Sequence, residues 1–187
     1  MTAPDPRAIR LNHVEFAHRP GEDGLVVGLF EALGCRCEIS DTPQFGKYIV
    51  VRLDDTPHGE NDMFASVAEP EQLALEDRLQ ALTASDHGLA EASAGFRSLQ
   101  RDRPFRATHI GLRLPSIAAF DEVVANLEGL IAGNLAGRLE LGEPMVRNRE
   151  AAAAMSAPMK QLWLWTDVIS TGLLAAGQQI ELQAYSE

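Results

Sequence analysis

The sequence lacks any apolar run of the ~18 to 20 residues that crossing a bilayer requires, which excludes a helical membrane protein. It also lacks a basic surplus. Only 16 Lys and Arg stand against 27 Asp and Glu, a formal charge of −11, so the average field repels phosphate backbones and nucleic acid is excluded as a natural partner. Cysteine is nearly absent: Cys35 and Cys37 are too few and too close for a disulfide framework, and Cys-x-Cys lacks the second pair of a structural zinc site. Both are expected to be reduced, small apolar residues on one face of a strand. The opening residues MTAPDPRAIRLNHVEF show no basic stretch followed by an apolar one, so a cytoplasmic setting is expected. What remains is ordinary globular composition over 187 residues, with 45% apolar and 23% charged residues.

The hydrophobic pattern divides the chain into three parts. In residues 10–69, Leu11 to Ala17 alternates, with Val14 and Phe16 on one side and His13 and Glu15 on the other. Leu25, Val26, Leu29, Phe30 and Leu33 then repeat at helical spacing up to Gly34. Strands follow at Cys35 to Ser40, Lys47 to Leu53 and Asn61 to Ala68, giving a βαβββ module. Residues 70–106 are rich in Leu, Ala, Glu, Gln and Arg and read as a helical connector broken near Gly88.

Residues 107–187 repeat the first design. Thr108 to Leu114 alternates with His109 on the polar side, Ser116 is the expected N-cap of a helix, and strands are expected at Arg138 to Leu141, Gln161 to Thr166 and Gln178 to Tyr185. A helical insertion is expected at 143–158. The fold class is therefore α+β: two βαβββ modules forming curved mixed sheets around a central cavity, helices outside.

Histidines on the opening strands of two matching modules place His13 and His109 at equivalent positions. Glu181 lies between Ile180 and Leu182, which must face the helix, so its carboxylate must face the polar side. Two imidazoles and one carboxylate are a donor set suited to Fe(II) or Mn(II), with Zn(II) and Ni(II) as further candidates. Tyr48, Arg52 and Arg113 share the polar faces and suit an anionic or hydroxylated substrate, or ion pairs at the surface. Glu15, two residues from His13, could orient a ligand or act as a base. Trp163 and Trp165 line a cavity or pack on the connector, and His18, His58 and His87 read as solvated.

With these residues the sequence resembles the vicinal oxygen chelate superfamily of glyoxalases, extradiol dioxygenases and bleomycin-resistance proteins. The resemblance is carried by Leu11 to Phe16, Leu29 to Cys35, Thr108 to Leu112 and Gly177 to Leu182, in that order across about residues 10–69 and 107–185. It implies metal-binding roles for His13, His109 and Glu181, a small-molecule substrate chelated through adjacent oxygens, and a homodimer as one assembly. Aligning Gly59 with Gly177 sets Met63 opposite Glu181, where glyoxalases carry a fourth, acidic ligand; Asp62 is one residue away. Three ligands favour an extradiol-dioxygenase-like activity, although the His and Tyr that such enzymes carry before the last-strand glutamate are missing from Trp163 to Gly172. A glyoxalase-type isomerase or lyase and a metal-free ligand-sequestering protein are the alternatives.

Overall fold

A computed structural model describes residues 13–55, 61–147, 159–170 and 178–185. Strand β1 (His13–His18) keeps the expected alternation, with Phe16 in the core. Helix α1 (Asp23–Ala32) buries Val26, Leu29 and Phe30 and ends in a paired reversal. Gly34, at φ 86°, donates to Glu31 O (3.0 Å), and Cys35 donates to Phe30 O (3.0 Å). That left-handed position is why a glycine stands there. Strands β2 (Arg36–Thr42), β3 (Gly46–Arg52) and β4 (Asp62–Val67) complete a sheet in the order β1-β4-β3-β2, with β1 and β4 parallel.

The connector is a hairpin of helices α2 (Pro70–Ser85) and α3 (His87–Asp102). The break falls at Asp86 rather than at Gly88, because the Asp86 carboxylate accepts from Leu89 N (2.8 Å) and so starts a new helix that runs through the glycine. A 3-10 turn at Pro104–Arg106 leads into the second module.

Strand β5 (Ile110–Arg113) precedes helix α4 (Ile117–Ile131), whose Ser116 cap accepts from Ala119 N (3.1 Å) as expected. Strands β6 (Leu139–Leu141), β7 (Met145–Arg147), β8 (Met159–Thr166) and β9 (Gln178–Tyr185) follow. Their order, β5-β9-β8-β6 with β5 and β9 parallel, reproduces that of the first sheet. Residues 145–147, expected within a helical insertion, instead form a strand antiparallel to β8, since Val146 and its neighbours find ladder partners in Met159 to Gln161. The remainder of that insertion, 148–158, lies outside the described residues.

Each helix covers the sheet face opposite its module's histidine, and the two helices also pack on one another. One continuous core results, running from Phe16, Leu29 and Phe30 through Phe120, Val123 and Leu127 to Leu162, Ile180 and Leu182. Each such side chain, fully buried, contributes about 1.5 to 3 kcal/mol. Ala17 and Ser170 exchange two backbone hydrogen bonds (2.9 and 3.0 Å), and Arg138 binds Glu22 twice (2.6 and 3.0 Å) and Asp167 once (2.8 Å). The modules therefore meet through helices, one strand end and one arginine. No helix among the described residues is long and apolar enough to cross a membrane.

Candidate functional site

His109 stands immediately before β5, where its Nδ1–H donates to the Ala107 carbonyl (2.8 Å). That bond leaves the Nε2 lone pair facing outward. Nε2 lies 3.6 Å from Glu181 Oε2. Glu181 is only 6% exposed and sits in register with Gly111 on one side and Trp163 on the other. Ile180 and Leu182 beside it are wholly buried against the helix side, so the alternation turns the carboxylate to the polar face as expected. Gly111 offers no side chain to cover it. The Trp163 ring meets the imidazole edge-on at 4.7 Å and holds its plane.

Two donors on one ion at ~2.1 Å, at the angles of tetrahedral or octahedral sites, stand about 3 to 3.5 Å apart. The His109–Glu181 separation of 3.6 Å lies just beyond that range. The expected triad is not assembled within one chain. His13 is exposed, with its ring edge-on to Phe64 at 5.4 Å, and among the described residues no group of three or more His, Cys, Asp or Glu side chains is placed to hold a metal ion. The reason lies in the junction: the modules share their helices and core, and that contact does not bring the two histidines together.

Register also corrects the first module. His13 pairs with Asp62 and Glu15 with Phe64, so the counterpart of Glu181 is Phe64, and Met63 faces the core at 3% exposure. Aligning the glycines slipped the strand by one residue, which exchanges its faces. Asp62 therefore shares the polar face with His13, where Arg52 engages it (3.4 Å). Glu15 accepts from Ser66 Oγ, and Tyr48 packs on Phe64 with ring centroids 6.1 Å apart. Arg113 is exposed on β5, in register with Gln183.

His18, expected in solvent, is 3% exposed; its Nδ1–H donates to Arg19 O (3.0 Å) and its Nε2 is buried without a partner. The connector causes this, because α2 closes over the end of β1 with Gln72 and Glu76. His87 is exposed beside Glu91 (3.6 Å), and His58 lies outside the described residues. Cys35 and Cys37 are free. Burial pushes the Cys35 thiol up to about 12, with Cys37 adding to it, and burial with Glu31 pushes Cys37 up to about 11. The sequence reading passed over Arg101, whose guanidinium lies over the Trp165 ring at 5.7 Å while bonded to Glu140. No signal in the sequence pairs residues of α3 with β6 and β8.

No protein-family model and no curated protein matches the chain. Among solved structures it is similar to UcmS2, at 16% identity and a TM-score of 0.45, over 94% of this chain and 98% of that one. It is also similar to a glyoxalase/bleomycin resistance protein/dioxygenase from Alicyclobacillus acidocaldarius, at 10% identity and a TM-score of 0.45, over 99% and 96%. The fold assignment rests on the chain's own strand orders, which define an α+β protein of two paired βαβββ modules.

Proposed function

We propose that the chain is an enzyme that binds a small oxygen-bearing substrate on the polar face of the second sheet, at a divalent cation held by His109 and Glu181. The observation that carries this reading is the fixed pair itself: an imidazole whose Nδ1 is committed to Ala107, with its Nε2 3.6 Å from a buried carboxylate. The cation, Fe(II) or Mn(II) before Zn(II) or Ni(II), would supply Lewis-acid chemistry to a substrate chelating through adjacent oxygens. Extradiol-dioxygenase-like chemistry leads, ahead of a glyoxalase-type isomerase or lyase. Trp163 walls the pair and excludes water from one side; Arg113 on β5 is the candidate for contacting substrate from the same sheet, and Tyr48 and Glu15, on the first sheet with His13, would contact it only from a second copy. His13 can complete the donor set only from a second copy, so the homodimer and the three-donor site stand together. The free cysteines suit a reducing cytoplasm.

The test is Mn(II) titration of protein purified without chelator. His109→Ala and Glu181→Gln should each weaken binding at least about tenfold, and His13→Ala should do the same where the dimer forms. Wild-type binding by His13→Ala would reduce the site to two protein donors. Indifference of all three variants would favour a second reading, a metal-free binding protein. That reading has its own support: Trp163 Nε1 and Gln161 Oε1, on the Glu181 face, are buried without partners and would suit a bound ligand. Such a ligand would be retained in excess chelator.

A further inference from the structure

We propose that the cleft between α3 and the β6–β8 edge is a second ligand site, built for a small carboxylate with a planar body. The cleft has a volume of about 260 Å³, and its lining includes Arg97, Gln100, Arg101, Arg138, Glu140 and Trp165. That size, just under the range of pockets for drug-sized ligands, limits the occupant to about one ring.

Among the described residues, the side chains of Gln100 and Arg97 in this lining have no partner, and Trp165 Nε1 is buried without one. Gln100 is 6% exposed and its side-chain amide forms no hydrogen bond, so its donors and acceptor are open to a ligand in the cleft. Arg97 is exposed and has no acidic partner, whereas Arg101 is bonded to Glu140, and Arg138 to Glu22 and Asp167. Among the described residues, Arg97 is thus the cation of the lining whose charge no acid compensates.

A guanidinium fork matches a carboxylate with two parallel N–H bonds, and the Gln100 amide N–H is the natural third donor. Beside them the Arg101 guanidinium, lying over the Trp165 ring, makes a flat wall for a planar body. The site depends on the connector hairpin and not on the His109–Glu181 pair, so it stands or falls separately from the proposed function.

The experiment is titration of the full chain with benzoate, followed by tryptophan fluorescence, with neutral benzamide and inorganic phosphate as comparison probes. Saturable quenching by benzoate is expected, with benzamide weaker by about tenfold or more, the loss of one charge-assisted pair. Arg97→Gln, at an exposed position that leaves folding intact, should weaken benzoate about tenfold, and Gln100→Leu should weaken it with the melting temperature little changed. His109→Ala should leave it unchanged. Equal binding of benzoate and benzamide, an unaltered Arg97→Gln, or phosphate binding as well as benzoate would overturn the assignment. So would loss of benzoate binding in His109→Ala alone.

Discussion

Replacing Glu181 by glutamine separates a carboxylate kept to hold a ligand from one kept to hold the fold. The side chain is 6% exposed, and the ring nitrogen facing it, His109 Nε2, is 3.6 Å away, beyond hydrogen-bond distance. A buried carboxylate with so weak a partner carries a desolvation cost of several kcal/mol, reduced here by the opening that Gly111 leaves on one side. Glutamine keeps the shape and sheds the charge. In excess chelator the variant should therefore be about 1 to 2 kcal/mol more stable than wild type in urea unfolding, or about 2 to 8 °C higher in Tm for a chain of this length. Added Mn(II) should reverse the order. Wild type gains about 2.7 kcal/mol at a free concentration a hundredfold above Kd, and the variant gains little. A variant less stable than wild type by about 1 kcal/mol or more in chelator would show that Glu181 is a structural partner of His109, and the cation reading would lose its basis.

Arg138→Gln removes the two charge-assisted bonds to Glu22 that cross the module junction, together with one to Asp167 inside the second module. Because these groups are partly solvated, about 1 to 3 kcal/mol is expected in urea unfolding, and a loss near zero would assign the junction to the shared core alone. The Arg101 hydrogen bonds hold the Glu140 carboxyl below its ordinary 4.5, against an opposing effect of burial. Stability from this pair is therefore present above that value and lost as pH falls through the lowered one. The gap in urea midpoint between wild type and Glu140→Gln, small because both side chains are nearly half exposed, should narrow as pH falls below 4.5; a constant gap would contradict the linkage. With the Cys35 thiol pushed up to about 12 and Cys37 to about 11, Ellman's reagent at pH 8 should label the native chain slowly and both thiols at once in urea. Rapid native labelling of Cys35 would contradict its burial.

Periodicity made the two modules legible, because α1, α4 and the strands bury one face each, and a buried face leaves an apolar repeat in the chain. The Ser116 cap and the sidedness of Glu181 were legible for the same local reasons. What escaped depends on contacts between distant segments. The Met63–Phe64 slip came from anchoring an alignment on Gly59 and Gly177, whereas strand faces are set by the ladder to β1 and β3. His18 looked like a turn residue because the helix that buries it arrives from more than fifty residues away. The convergence of His13 with His109 required knowing which surfaces join the modules, and amphipathic helices that could face solvent elsewhere pack on one another here.

The same frame carries different chemistry in its two copies. At the equivalent pair of positions on the first and last strands, the first module has Glu15 opposite Phe64 and the second has Gly111 opposite Glu181. Each histidine is held edge-on by an aromatic ring, His13 by Phe64 at 81° and His109 by Trp163 at 83°. In the first module the ring occupies the carboxylate's slot, whereas in the second it sits one strand further across the sheet, on β8. The exchange leaves a face with two adjacent donors, His109 and Glu181, and a face with one exposed imidazole whose neighbouring acid, Asp62, is engaged by Arg52. Among the described residues, neither face alone brings three such donors together. A two-fold pair of chains that set the first face of one copy against the second face of the other would form two three-donor sites at once, so the asymmetry between the modules and the proposed dimer explain each other.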